Sequence, residues 1–155
     1  MNVGIDENTA IHLSKQVKNE YINIENWHLF DDTVVSLEKA ITLGFENVVI
    51  SNHVPELYEI VVDLGLNKYF LKIYSSANVG YDKPNSKIFE YAVNVLNAEK
   101  KNCVMIGDSY EADVAGALRF GIKAVFVRKP NEKDYPIYSK DLSGALETVQ
   151  KLIID

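Results

Sequence analysis

Apolar positions along the chain follow two different spacings, and together they predict an alternation of strands and helices. Short runs rich in β-branched residues predict buried strands at residues 47–51, 72–75, 102–106 and 122–127. Apolar residues that recur every three or four positions predict helices at residues 7–22, 31–44, 55–65, 86–96, 111–121 and 142–153. From residue 47 onward the two kinds of element alternate in units of about 25 to 30 residues, which predicts an α/β domain with a parallel sheet.

The pattern is clearest at residues 102–121, NCVMIGDSYEADVAGALRFG, which we take as a buried strand followed directly by a helix. Three carboxylates lie between the two elements: Asp108, Glu111 and Asp113. Ligands of open α/β sheets bind beyond the carboxyl ends of the strands, which is where Asp108 is placed. Carboxylates with little sulfur or imidazole nearby suit a hard cation such as Mg²⁺. The alternative is that Asp108 and Asp113 only cap and charge the helix N-terminus.

Composition limits what such a domain could bind. The 155 residues fit one domain, and a net charge of −6 argues against nucleic acid or an anionic membrane as a partner. A phosphate substrate stays open, because it needs only local positive potential. The single cysteine, Cys103, excludes an internal disulfide and fits a reducing compartment. We see no signal peptide and no apolar run long enough to span a bilayer, and we therefore expect a cytoplasmic protein.

Polar groups follow three of the predicted strands, at the edge where the carboxyl ends of parallel strands meet. Ser51 and Asn52 follow the first strand, and Lys83 lies in the loop after the second. Asp108 and Asp113 follow the third. A hydroxyl and exposed backbone N–H groups suit a phosphate oxygen, and a lysine adds positive charge for the same anion. Together with the aspartates, these residues predict a combined phosphate and Mg²⁺ site.

The order and spacing of three segments resemble the haloacid dehalogenase superfamily of phosphohydrolases. The segments are VVISN at residues 48–52, GYDKPNSKIF at residues 80–89 and VMIGDSYEADVAGALRFGI at residues 104–122. The last is the most specific, because it places GDxxxxD between an apolar strand and an alanine- and glycine-rich helix. The resemblance runs from about Leu29 to the C-terminus. It implies an α/β fold with a three-layer, Rossmann-like core around a parallel sheet.

The resemblance also implies a role for each matched polar residue. Ser51 would bind the transferring phosphoryl group, with Asn52 assisting. Lys83 would be catalytic and phosphate-binding, because it would neutralise that group and the carboxylate that attacks it. Asp108 would ligate Mg²⁺, and Asp113 would ligate the ion or orient its ligands. The implied activity is Mg²⁺-dependent hydrolysis of a small phosphorylated metabolite.

The family's first motif, an apolar strand followed by DxDx[TV], has no good copy in the sequence. Its first aspartate attacks phosphorus, and its second acts as general acid and base. Asp31 and Asp32 are interpreted as helix-start residues, because no strand precedes them. Asp6 follows a short apolar stretch, but Asn8 stands where the second aspartate belongs. The nucleophile is therefore expected to be missing from this chain.

The first helix resembles a different part of the family. Residues 5–24 are similar to the end of the helical cap domain that many members insert after the first motif. We therefore expect a remnant of a helical cap at residues 1–26 and the α/β core at residues 27–155. The alternative is a degenerate copy of the first motif at residues 2–9.

A missing nucleophile would have chemical consequences. Its loss commonly lowers the rate of such a reaction about 10⁴- to 10⁶-fold. Two aspartates alone should also hold Mg²⁺ weakly, because this ion keeps its waters and needs well-placed carboxylates. We therefore expect a phosphohydrolase in the intact form and a nearly inactive chain alone. The alternative is a non-catalytic module that binds phosphate or a partner.

A missing first motif would also open a gap in the sheet. In the family this strand is central, between the strands predicted at residues 47–51 and 102–106. Buried backbone groups without partners cost about 1–3 kcal/mol each, so several in a row are not tolerated. The two strands could pair directly, residues 2–6 could fill the position, or a second copy of the chain or a missing N-terminal fragment could supply a strand. The sequence does not choose among these solutions.

Overall fold

The structure is a computed structural model, and it describes Gly4 and residues 6–154. The suggestion that residues 2–6 fill the central position lies outside the described residues, apart from Gly4 and Asp6. Asp6 is the N-cap of the first helix, because its side chain accepts a hydrogen bond from the backbone N–H of Thr9 at 3.0 Å.

Helices and strands alternate along the chain, as the apolar spacing predicts. The helices are α1 (Glu7–Ile22), α2 (Thr33–Thr42), α3 (Leu57–Asp63), α4 (Ser76–Val79), α5 (Ser86–Val95), α6 (Gly116–Phe120) and α7 (Leu142–Ile154). The strands are β1 (Val48–Ser51), β2 (Lys72–Ser75), β3 (Val104–Gly107), β4 (Lys123–Val127) and β5 (Tyr138–Ser139). The α/β class and the parallel sheet are confirmed.

The strands form two separate parallel sheets. β1 pairs with β2, and β3, β4 and β5 pair in that order. Between the described residues of β1 and β3 there are no ladder hydrogen bonds, so the two strands do not pair directly. The first of the three solutions offered above is therefore not adopted.

The middle strand of the larger sheet explains the three layers of the core. Ala124 and Phe126 of β4 pack in one apolar cluster with Phe89 of α5. Val125 and Val127 pack in another cluster, which includes residues of α7. Alternate side chains of a strand point to opposite faces, so helices cover both faces of this sheet. An uninterrupted apolar run is typical of a strand in that position.

The spacing of apolar residues does not predict the short elements α4 and β5. α4 is a single turn that begins at Ser75, whose side chain caps it, and ends at Gly80 with a φ of 86°. β5 contains two residues, which pair with Phe126 and Val127 of β4. Elements this short show no measurable hydrophobic period. Within the described residues, no helix combines the length and apolarity needed to cross a membrane.

Candidate functional site

A buried ion pair lies at the carboxyl edge of the two sheets. Lys83 Nζ is 2.6 Å from Asp113 Oδ1, and the two side chains are 9% and 6% exposed. Lys83 Nζ also donates to the carbonyl of Ile50 in β1 at 2.7 Å. Asp113 Oδ2 accepts a hydrogen bond from the backbone N–H of Ser109, just after β3, at 2.9 Å. The pair therefore links the end of β1 to the turn that follows β3.

The backbone around this pair is shaped to receive Asp113. The segment Tyr110–Ala115 is a π-helical turn that leads into α6, where the sequence predicts an ordinary helix. A methyl group at Gly107 would lie 2.3 Å from Asp113 Oδ2, so only glycine leaves room for that carboxylate. π-helical turns of this kind often occur at functional sites.

Asn52 holds the loop that carries Lys83. Its side-chain Nδ2 donates to the backbone carbonyl of Lys83 at 2.8 Å. Its Oδ1 accepts from the backbone N–H of Lys83 at 2.7 Å. These two bonds join loops that are 31 residues apart in sequence. Asn52 thereby fixes where the ammonium group of Lys83 can reach.

Ser51 lies on the same edge. It is the last residue of β1, it is half-buried, and its register partner is Ser75 of β2. Its neighbours in sequence are Ile50, whose carbonyl binds Lys83, and Asn52, which holds the Lys83 backbone. Ser51 thus lies in the chain between the two residues that bind Lys83.

Asp108 occupies the solvent side of the edge. It follows β3 directly, its side chain is 54% exposed, and its Oδ2 lies 3.1 Å from Lys129 Nζ. The two aspartates therefore differ, because Asp113 is buried against Lys83 and Asp108 faces water. No group of three or more His, Cys, Asp or Glu side chains suited to a metal is present in the described part of the chain. Mg²⁺ needs only one or two protein carboxylates beside waters and substrate oxygens, so the exposed carboxylate of Asp108 fits this ion.

An open cavity of about 690 Å³ lies beside this edge. Its lining includes Asn52, His53 and Tyr81 of the core and Tyr21 of α1. The His53 ring is packed 5.0 Å from the ring of Tyr21 and 5.5 Å from that of Trp27. Burial lowers the pKa of His53 below its ordinary value. His53 therefore packs against Tyr21 of the first helix and against Trp27, and its burial disfavours the protonated ring.

Two further residues, Ser75 and Asp32, make contacts that were not predicted from the sequence. Ser75, which is 2% exposed, donates to the carbonyls of His53 and Val54 at 2.7 and 2.8 Å, and so fixes the loop after β1. Asp32 lies in the N-cap position of α2, but its side chain does not cap that helix. It binds Arg128 at 2.5 Å and the backbone N–H of Leu142 at 2.7 Å instead. The position of Ser75 at a strand end could have indicated its role. No feature of the neighbouring sequence indicates the partners of Asp32.

Comparisons with known proteins point to one family of hydrolases. The family described as haloacid dehalogenase-like hydrolase matches residues 2–127. The glyceraldehyde 3-phosphate phosphatase of Methanothermobacter thermautotrophicus is 31% identical over 99 residues, which cover 63% of this chain and 44% of the relative. The phosphoserine phosphatase of Thermus thermophilus is 30% identical over 115 residues, which cover 74% of this chain and 46% of the relative.

The same likeness is seen in solved structures. A HAD phosphatase from Thermococcus onnurineus superposes with a TM-score of 0.69 at 27% identity, over 74% of this chain and 55% of that one. The chain spans about half the length of the curated relatives that it matches. The family match covers most of the sequence, and the chain therefore belongs to the haloacid dehalogenase-like hydrolases.

Proposed function

We propose that this polypeptide carries the phosphate- and Mg²⁺-binding part of a phosphohydrolase that acts on a small phosphorylated metabolite. The observation that carries the proposal is the buried pair of Lys83 and Asp113 beside Ser51, with the exposed carboxylate of Asp108 on the same edge. The phosphatase names of two relatives support the reaction class.

Lys83 is the proposed catalytic cation. An ammonium group has three N–H donors, and Lys83 donates one of them to the carbonyl of Ile50, while Asp113 Oδ1 is its ion-pair partner. A remaining N–H is the proposed donor to an oxygen of the phosphoryl group. Asp113 and Asn52 act as positioning residues, because they hold the ammonium group and its loop in place.

Ser51 is the proposed hydroxyl donor to a second phosphoryl oxygen, with the remaining N–H of the Asn52 amide assisting. Asp108 is the proposed Mg²⁺ ligand, and Asp113 is proposed to orient the site through its ion pair with Lys83. When bound, Mg²⁺ would neutralise charge that develops on the phosphoryl oxygens. Lys83 would share that task from the protein side.

The attacking carboxylate is proposed to be missing from this chain, because the sequence has no good copy of DxDx[TV]. The chain alone should then bind phosphate and turn over esters at least about 10⁴-fold more slowly than a complete family enzyme. A non-catalytic binding module is the second candidate. It is favoured by the same contrast, since the chain has candidate anion-binding residues but no good copy of the nucleophile motif.

Residues 1–26 are proposed to be a remnant of a helical cap, and residues 27–155 the core. Supporting this division, no described residue of α1 is buried. A cytoplasmic location is proposed from the single cysteine, which fits a reducing compartment.

Calorimetric titration with inorganic phosphate, in the presence and absence of Mg²⁺, tests the proposal. We expect saturable binding that Mg²⁺ strengthens and that Lys83→Met weakens at least about tenfold. Ser51→Ala, which removes only a hydroxyl group, should weaken it about fivefold, and Ser14→Ala on α1 is the matched control. Phosphate binding that is absent, or equal in all these variants, would overturn the proposal.

A further inference from the structure

The chain turns back sharply around Arg128, where β4 ends. The φ of Arg128 is 70°, and the backbone N–H of Lys129 donates to the carbonyl of Val127 at 2.8 Å. This bond makes a γ-turn with Arg128 at its centre, and the form with a positive φ is rare and strained. Such strain persists only where surrounding contacts fix it, and it is frequent at functional sites.

The side chain and backbone of Arg128 make the contacts that hold this turn. Its guanidinium group binds Asp32 Oδ1 at 2.5 Å, and the guanidinium carbon lies 3.7 Å from the centre of the Phe30 ring. Its backbone N–H donates to the carbonyl of Ser139 in β5 at 3.1 Å. The side chain is only 20% exposed, so Arg128 serves as an anchor for the residue that follows it.

Lys129 extends from this anchored turn to the end of β3. Its Nζ lies 3.1 Å from Asp108 Oδ2, and its side chain is 60% exposed. Pro130 follows it and restricts the backbone of Lys129 to extended conformations. The two neighbours of Lys129 therefore fix where its backbone lies, while its side chain can still change partner.

The loop beyond Pro130 is also attached to the sheet. Asn131 Nδ2 donates to the carbonyl of Tyr135 at 2.8 Å, and Asn131 Oδ1 accepts from the backbone N–H of Tyr135 at 2.9 Å. The Tyr135 hydroxyl donates to the carbonyl of Ala124 in β4 at 3.0 Å. Lys129 thus lies in a loop that is held in place on both sides.

Two lysines flank the turn that follows β3. Lys83 pairs with Asp113, which accepts a hydrogen bond from the backbone N–H of Ser109, the residue directly after Asp108. Lys129 pairs with Asp108 itself. The pair of Lys83 is buried, whereas that of Lys129 is exposed and can open at little cost, because water solvates both charges.

The charge beside Lys129 changes when a cation takes Asp108. Without a metal ion, the carboxylate of Asp108 neutralises the ammonium group. When the proposed Mg²⁺ holds Asp108, the ammonium group loses this partner, but the turn at Arg128 keeps it beside the site. Two neighbouring cations repel each other, and an anion that contacts both relieves the repulsion. A phosphate oxygen is such an anion.

We propose that Lys129 is a second phosphate-binding residue, which binds a phosphate oxygen only while Mg²⁺ holds Asp108, and that Arg128 is its positioning residue. The inference rests on the proposed phosphate and Mg²⁺ site and extends it to the loop after β4. Lys129 weakens Mg²⁺ binding when phosphate is absent and strengthens phosphate binding when Mg²⁺ is present. One side chain therefore couples the binding of the two ligands.

Calorimetric titration of the whole 155-residue chain with inorganic phosphate, with and without saturating Mg²⁺, tests the role of Lys129. With Mg²⁺, Lys129→Gln should weaken phosphate binding about fivefold, because a charge-assisted hydrogen bond is lost. Without Mg²⁺, it should weaken phosphate binding by less than about twofold, because only a screened surface charge is removed. Lys133→Gln is the matched control, since Lys133 lies in the same loop but faces Glu111, and its effect should be small under both conditions.

Arg128→Met tests the positioning role. It removes the contact with Asp32, so phosphate binding in the presence of Mg²⁺ should weaken about threefold. In a chain that already carries Lys129→Gln, the same change should have no further effect on phosphate affinity, because both act through one side chain. A purely structural role of Arg128 would weaken binding equally in both backgrounds. If Arg128→Met does not fold, the comparison of Lys129→Gln with and without Mg²⁺ still decides the proposal.

The outcomes separate this inference from the proposed function. If Lys83→Met weakens phosphate binding and Lys129→Gln does not, with Mg²⁺ present, the phosphate site stands and this inference is overturned. It is also overturned if Lys129→Gln acts equally with and without Mg²⁺, or no more strongly than Lys133→Gln. Additive effects of Arg128→Met and Lys129→Gln overturn the positioning role. A native chain that binds no phosphate under either condition overturns the proposed function and this inference together.

Discussion

Lys83 and Asp113 form an ion pair of 2.6 Å that bridges two strands with no ladder bonds between them in the described chain. Both side chains are almost completely buried, at 9% and 6% exposed. Burial makes each charge depend on the other, because neither can be solvated by water. The pair therefore serves the fold as well as the site.

Asp113→Asn should destabilise the chain by about 3–5 kcal/mol, because it leaves the ammonium group of Lys83 buried without a counter-charge. Thermal or denaturant unfolding measures the effect. Asp108→Asn is the matched control, since that carboxylate is exposed and should change stability by less than about 0.5 kcal/mol. Equal losses in the two variants would contradict the view that the buried pair joins the sheets.

Asp32 should make stability depend on acid pH. Partial burial opposes its charge, but hydrogen bonds from Arg128 and from the backbone N–H of Leu142 outweigh that effect, and the pKa of Asp32 is lowered. Because the folded pKa lies below the unfolded value of about 3.9, the pair stabilises the fold above that pH. The contribution is lost as the pH falls through the folded pKa.

Unfolding free energies measured between pH 7 and pH 3 test this dependence. Asp32→Asn should lower stability at pH 7 by about 1 kcal/mol and flatten the decline below pH 4. The neighbouring change Asp31→Asn keeps the Arg128 contact and should leave both quantities nearly unchanged. If the free energy of unfolding declines as steeply in Asp32→Asn as in the native chain, other carboxylates cause the decline.

His53 gives a second pH dependence, nearer neutrality. Burial lowers its pKa in the folded chain, while the unfolded chain takes up a proton near pH 6.5. The stabilisation linked to His53 is therefore fully present above about pH 6.5. It declines as the pH falls towards the lowered pKa of the folded chain. His53→Gln should remove this decline, and His12→Gln on the exposed face of α1 is the control.

Trp27, the single tryptophan, reports on the same event because its ring lies 5.5 Å from that of His53. Its fluorescence should change as His53 takes up a proton, at a pH below 6.5, and should be constant over that range in His53→Gln. A transition in native-chain fluorescence at or above pH 6.5 would show that His53 is not held neutral by burial.

The hydrophobic pattern predicted β1 to β4 and the longer helices because those elements bury one or two regular faces. The pattern could not predict β5, whose two residues are too few to show a period. Nor could it predict the π-helical turn at Tyr110–Ala115, which depends on the close approach of Asp113 to Gly107. Local sequence does not record such tertiary contacts.

The sequence motifs name the candidate site residues one by one, but they do not indicate the contacts between them. Sequence motifs identified Lys83 and Asp113 separately, and neither motif indicates that the two side chains meet. Asp32 is similar, because the sequence indicates a helix start while its partners are 96 and 110 residues away. The composition of a site can be read locally, whereas its hydrogen bonds depend on how distant loops pack.

Lys129 should compete with Mg²⁺ for Asp108. Its Nζ is 3.1 Å from Asp108 Oδ2, and both side chains are more than half exposed, so the pair adds little to stability. A cation that binds Asp108 must displace this ammonium group. Lys129→Gln should therefore strengthen Mg²⁺ binding about two- to fivefold, measured by calorimetry at constant ionic strength, and Asp108→Asn should abolish it.

Lys133→Gln is the matched control for this prediction. It removes the same charge from the same loop, but Lys133 lies 4.0 Å from Glu111 and has no contact with Asp108 in the described structure. If the effect is a direct competition, only Lys129→Gln strengthens Mg²⁺ binding. If the two variants strengthen Mg²⁺ binding equally, the cause is the general positive potential of the loop. That result would not support Asp108 as the ligand.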